Sequence, residues 1–94
     1  MIKQTYTKDP DATLDYPVDW ESWLDDDTIS ASEWVLEDGL TIGTGDIAPS
    51  FTDTVATAFI AGGTVGTTYL VTNRITTAGG RIDDRSFRLK IKEL

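Results

Sequence analysis

The closing stretch Ser86-Phe87-Arg88-Leu89-Lys90-Ile91-Lys92 alternates apolar and polar residues without a break. A period of two places Phe87, Leu89 and Ile91 on one face of a strand and Arg88, Lys90 and Lys92 on the other. Nowhere does a run of ten or more residues carry the 3.6-residue apolar spacing of an amphipathic helix. These two facts together confine the chain to sheets. Fifteen threonines push the same way, because a β-branched side chain packs well on a pleated surface and loses freedom in a helix.

Glycines cluster at 39–45, 62–66 and 79–80 and cut the chain into short segments. Thr67 to Thr76 reads as the strand before the last, with Tyr69, Val71 and Ile75 on one face. Thr77 to Asp84, which contains Gly79-Gly80, joins the two as an antiparallel hairpin with a long loop. Thr54 to Ile60 is a third strand. Val55 and Phe59 fall on one of its faces and Ala56, Ala58 and Ile60 on the other, which leaves its inner face open. Thr28 to Leu36 is a fourth, ended by Glu37-Asp38-Gly39. Leu40-Thr41-Ile42 gives a short fifth, with Ile47 as a candidate extension, and Ile2 to Tyr6 is a candidate edge strand. About six or seven short strands, each ended by a turn, predict a small all-β antiparallel sandwich. Gly66-x-x-Tyr69-x-Val71 adds an immunoglobulin-like (Ig-like) feature. In such folds a Tyr near the start of a strand, two residues before an inward position, bonds back to the main chain at a corner. Tyr69 is the candidate for this corner, the alternative being an ordinary half-buried strand residue. Trp34 is the candidate large aromatic between the sheets.

Residues 1–27 break the pattern. From Asp9 to Asp27 there are eight carboxylates, two of the three Trp and no basic residue, and Pro10 and Pro17 interrupt the run. The expectation is a single domain of residues 1–94, in which 1–27 form an irregular acidic arm and 28–94 the sandwich. Tyr16, Trp20 and Trp23 recur at i, i+4 and i+7, with Leu24 beside Trp23, which fits a short helical turn capped by Asp19. Leaving such side chains in water forgoes about 1.5–3 kcal/mol each. These four residues are therefore the candidate anchors of the arm, on the domain's own edge or on a partner.

Histidine and cysteine are absent. That removes the usual general base near neutral pH, the commonest metal ligand, the thiolate nucleophile and any disulfide. A chain of 94 residues has no spare core for a large cofactor. A non-enzymatic role without a cofactor is expected. No apolar run nears the ~20 residues of a membrane helix, and Met1-Ile2-Lys3 opens no secretory apolar region. Synthesis in the cytosol without a membrane partner is the expectation. A net charge of −8 predicts solubility and repulsion from nucleic acid. Residues 1–53 set thirteen acids against Lys3 and Lys8, net −11, whereas 54–94 set three acids against six bases, net +3. The asymmetry fits either a head-to-tail contact between copies or two halves that mix within one sandwich.

Asp9-x-Asp11-x-Thr13-x-Asp15 spaces its oxygens like the start of an EF-hand loop. That loop also needs Gly at its sixth place and a bidentate Glu at its twelfth, where this chain has Leu14 and Trp20. A looser surface cation site on Asp9, Asp11 and Asp15, or on Asp25 to Asp27, stands against a solvated loop in which Asp caps turns. Asp83-Asp84 and Asp25 to Asp27 are sequence neighbours, which point apart and make poor hydrolytic pairs.

Lys8-Asp9-Pro10-Asp11, Leu14-Asp15-Tyr16, Asp19-Trp20, Trp23-Leu24, Asp27-Thr28-Ile29 and Ser32-x-Trp34 occur in that order. Gly62-Gly63-Thr64-x-Gly66-Thr67-x-Tyr69, Val71-Thr72-Asn73-x-Ile75-Thr76-Thr77 and Gly80-Arg81-x-Asp83-x-Arg85-Ser86-Phe87 follow. This ordered set, from about residue 8 to 92, resembles small tailed-phage and prophage virion proteins described as fibre–tail adaptors or head–tail structural proteins. The resemblance implies an Ig-like sandwich and a place in the virion after synthesis in the bacterial host. Its implied partners are other phage tail or head–tail proteins, and copies of itself in an oligomer or ring that repeats one heterologous contact. It supplies no catalytic residues. Capsid decoration is the alternative within that class. An acidic DNA mimic and a host-surface binding module are the alternatives outside it.

Overall fold

β7 (Thr68–Thr77) and β8 (Ile82–Ile91) form a long antiparallel hairpin around which the rest is built, in a computed structural model that describes residues 4–94. Alternation sets their inner face: Tyr69, Val71 and Ile75 on β7 and Phe87, Leu89 and Ile91 on β8 are all buried. β3 (Ile29–Leu36) adds to the far side of β7, antiparallel, and β1 (Thr5–Lys8) adds to β8. The first sheet is thus ordered β1-β8-β7-β3. The β1–β8 pair is parallel, a departure from the all-antiparallel expectation. Ile2 and Lys3 of the candidate edge strand lie outside the described residues.

The second sheet is centred on β6 (Val55–Gly62). β2 (Leu14–Asp19) pairs with one edge of β6, while β4 (Leu40–Ile42) and β5 (Ser50–Phe51) pair with the other. The inner face of β6, open in the sequence, is Ala56, Ala58 and Ile60. Their small side chains leave room for large rings across the interface: Tyr16 packs in one core cluster with Ala58, and Trp20 in the other with Ala56. The expected class, an Ig-like sandwich of two sheets with one short helical turn, is the observed one. The chain carries eight strands among the described residues.

Three local readings change. The leader is not irregular: residues 5–8 and 14–19 are strands, one in each sheet. Pro17 is tolerated because β2 is an edge strand, where a missing N–H costs no ladder bond on the open side. The β7–β8 connection is only Ala78 to Arg81, because Ile82, Asp83 and Asp84 already belong to β8. Gly80 makes the turn possible with a φ of +89°. The polar run Asp83-Asp84 conceals the strand in the sequence, and an Arg74–Asp84 ion pair across the ladder, 2.7 Å, stabilises it on the outer face. Ile47 extends no strand; it ends a 3₁₀ turn, Gly45–Ile47.

Candidate functional site

The segment between β2 and β3 closes one end of the sandwich. It holds the helical turn α1 (Glu21–Leu24). The Asp19 carboxylate accepts the Glu21 N–H at 3.0 Å, which gives that residue the capping work expected of it, although Trp20 occupies the cap position itself. Trp20 is wholly buried, and its indole Nε1–H donates to Asn73 Oδ1 at 3.0 Å. The Asn73 amide donates in turn to Ser32 Oγ and the Glu33 carbonyl, so a polar side chain inside the core is satisfied on both sides. Leu24 and Tyr16 are also buried. Of the four candidate anchors only Trp23 reaches the surface, and it does so partly, edge-on to Trp20 with ring centroids 5.3 Å apart. Tyr16, Trp20 and Leu24 fasten the leader to its own domain.

Two arginines from the far end of the sequence cover this turn. The Arg81 guanidinium lies 4.2 Å from the centre of the Trp23 ring, and that of Arg85 lies 4.3 Å from the centre of Trp20. Arg81 also donates to the Leu24 carbonyl at 2.8 Å and pairs with Asp27 at 3.2 Å. Arg85 donates to the Asp19 carbonyl at 2.7 Å. Asp27 Oδ1 accepts the N–H groups of Thr28 and Gly79. The Thr77 hydroxyl first, then those main-chain donors and Arg81, hold the Asp27 carboxyl at about 2, below its ordinary 3.8. The turn itself is strained. Leu24 to Asp27 close a β-turn with Asp25 at φ +60°, ψ −114°, a conformation that favours glycine.

At the opposite end the Tyr69 hydroxyl accepts the Thr64 N–H at 2.9 Å, five residues back along the chain. Gly39 lies against that ring, where an added Cβ would come within 2.9 Å. Nearby, Lys8 is fully buried, and its ammonium donates to the carbonyls of Asp9 and Ala12 at 2.7 and 2.8 Å. Burial pushes its pKa down, and Asp9 and Asp11 partly offset that. This lysine ties down the 9–12 turn and is not available for chemistry. Trp34 is half-buried between the two core clusters, 6.4 Å from Phe87. Its indole N–H and the Tyr16 hydroxyl are buried without a hydrogen-bond partner among the described residues.

A concave surface runs along the seam between the sheets. It is an open groove of about 600 Å³ bounded by β1, β2 and the first half of β8. Tyr6, Pro17, Val18 and Phe87 supply its apolar lining, and Asp19, Asp83 and Asp84 its acids. Sequence reasoning missed this groove. It joins residues more than sixty positions apart, and only Pro17, as a mark of an open strand edge, hinted at it.

The candidate cation ligands do not converge. Asp9 spends its two oxygens on the N–H groups of Asp11 and Leu94, and Asp27 is committed to the hairpin turn. Among the described residues no three acids meet in a metal-holding cluster. Asp83 and Asp84 alternate to opposite faces of β8, and Asp84 pairs with Arg74.

Fold and surface together define a small Ig-like sandwich whose notable features are edges and a groove. One family matches nearly the full length: the podophage GP4 fiber-tail adaptor protein gp77 family covers residues 8–90, and the chain belongs to it. Among solved structures, the solution structure of the PKD domain from KIAA 1837 protein is similar, with a TM-score of 0.61 at 20% identity, covering 99% of this chain and 82% of that one. At that identity the likeness speaks to the fold alone. No curated protein matches.

Proposed function

We propose that this chain is a non-enzymatic structural component of a phage tail, which joins fibre to tail through protein–protein contacts and acts there in several copies. The family match carries the reading: it spans residues 8–90, and so takes in strands of both sheets and the α1 turn. It favours fibre–tail joining over head–tail joining or capsid decoration. The chemistry agrees, since the chain has neither His nor Cys and its polar clusters are spent on holding the fold. A net charge of −8 argues against nucleic acid as partner. No helix among the described residues is long and apolar enough to cross a membrane. Several copies fit a ring in which one heterologous contact repeats until it closes.

The test is a phage carrying a deletion of this gene. Its particles should have complete heads and tail bodies but lack fibres, and the protein should appear by mass spectrometry in purified wild-type tails. Fibre-bearing particles from the deletion, or a protein found only free in the infected cell, would overturn the reading.

A further inference from the structure

We propose that the seam groove is a docking site for an extended segment of a partner protein, one that alternates apolar residues with Lys or Arg and lies alongside β8. The inference deepens the adaptor reading and rests on it only for where the segment comes from. Three observations carry it. First, among the described residues β1 pairs with β8 from Arg88 to Ile91. Among the described residues no strand flanks Ile82 to Phe87 on the side away from β7, an edge of six residues and about 20 Å. The alternation of the ladder points the main-chain groups of Ser86 toward the groove, as Arg88 donates on that side to Gln4. Second, the floor beneath this edge is apolar. Tyr6 is 37% exposed and packs against Phe87 at 5.3 Å, with Pro17 and Val18 opposite. Third, acids outnumber bases in the groove, where Asp19, Asp83 and Asp84 stand against Arg85. Arg85 is stacked on Trp20 and bonded to the Asp19 carbonyl, whereas the carboxylates of Asp19 and Asp83 hold no cation among the described residues. An added strand takes its affinity from main-chain bonds and its specificity from alternate side chains. Here those side chains meet an apolar floor and an acidic wall.

The full chain, labelled with ¹⁵N, is titrated with a capped Val-Lys-Val-Lys-Val-Lys peptide and, separately, with its Val-Glu counterpart. The Lys peptide should shift the amides of Tyr6, Val18 and Asp83 to Phe87, and the Glu peptide should not. Asp19→Asn with Asp83→Asn keeps the local hydrogen-bond acceptors but removes both charges, and should weaken binding roughly five- to tenfold, a difference that shrinks with salt. Ser86→Pro removes the groove-side N–H and should abolish binding, while Ser86→Ala, which keeps it, should not. Equal shifts from both peptides, shifts elsewhere, or binding that appears only after removal of the residues before Gln4 would overturn the proposal. Groove resonances that broaden with protein concentration alone would assign the site to a second copy and overturn it too. If peptide binding fails while the protein is still found in tails, the groove is wrong and the adaptor reading stands. If the peptide binds as described but the protein is absent from tails, the groove stands and the adaptor reading falls.

Discussion

The α1 turn and the seam groove are neighbours, and Arg85 stands between them, yet they are built in opposite ways. At the turn the groups that face the fold are spent on one another: Trp20 on Asn73, Arg81 on Trp23, Leu24 and Asp27, and Asp27 on two main-chain donors. In the groove Tyr6 is only partly covered, and among the described residues the carboxylates of Asp19 and Asp83 lack cations and no strand lies beside the edge of β8 from Ile82 to Phe87. The difference bears on how aromatic-rich acidic segments are read. The indoles, which the sequence left between the domain's own edge and a partner, pack on the domain itself, and the plainer strand residues next to them border the surface that is left open.

Substitutions should separate the two regions sharply. Trp20→Ala removes the largest fully buried side chain and orphans Asn73. A loss of about 3–5 kcal/mol follows, on a fold of 94 residues whose total is on the order of 5–10 kcal/mol. Thermal melts by circular dichroism should show a midpoint at least about 15 °C lower, or no folded baseline. Trp20→Phe keeps most of the packing but loses the indole donor, and should cost about 1–3 kcal/mol. If both variants melt like the parent, the turn is not a plug.

Asp27 gives the second contrast, in pH. Its carboxyl is held at about 2 in the folded protein against an ordinary 3.8. A depressed acid stabilises the fold above its unfolded value, and that contribution disappears as pH falls through 3.8 toward 2. Melting midpoints should drop across that window. Asp27→Asn should lower the midpoint at neutral pH by less than Trp20→Ala does, and flatten the profile between about pH 4 and 2. An unchanged slope there would show that other carboxylates dominate acid unfolding.

Much of the fold is legible in the residues because one face of most strands is buried and the other wet. β8 from Ser86 onward and β7 alternate for that reason, whereas β3 is blurred by a register shift near Ile29 and an exposed Val35. β6 does not alternate, because Val55 and Phe59 keep apolar side chains on its outer face. β2 hides for a different reason: Asp15, Pro17 and Asp19 occupy outward positions of an edge strand, where acids and proline are free to sit. The helical turn shows in the spacing of Trp20, Trp23 and Leu24. What fastens it does not, since Arg81 and Arg85 lie nearly sixty residues or more away. The groove is wholly a product of long-range pairing and has no local signature.

The strain at Asp25 offers a third, smaller test. A residue at φ +60°, ψ −114° is relaxed only as glycine. Asp25→Gly should raise stability by about 1 kcal/mol. An unchanged or lowered midpoint would mean that Asp25 makes a compensating contact.

The smallest expected effect is the most telling. Asp83 is exposed, and among the described residues its carboxylate's one hydrogen bond is from the Asp84 N–H, which an amide oxygen also accepts. Asp83→Asn should therefore leave the melting curve within about 0.5 kcal/mol of the parent. The same holds for Asp19→Asn, whose bond to the Glu21 N–H an amide oxygen can replace. Groove carboxylates whose charge holds no cation of the domain itself among the described residues are available to a second molecule. If either substitution unfolds the chain as Trp20→Ala should, the groove is part of the plug, and the division between a closed end and an open seam disappears.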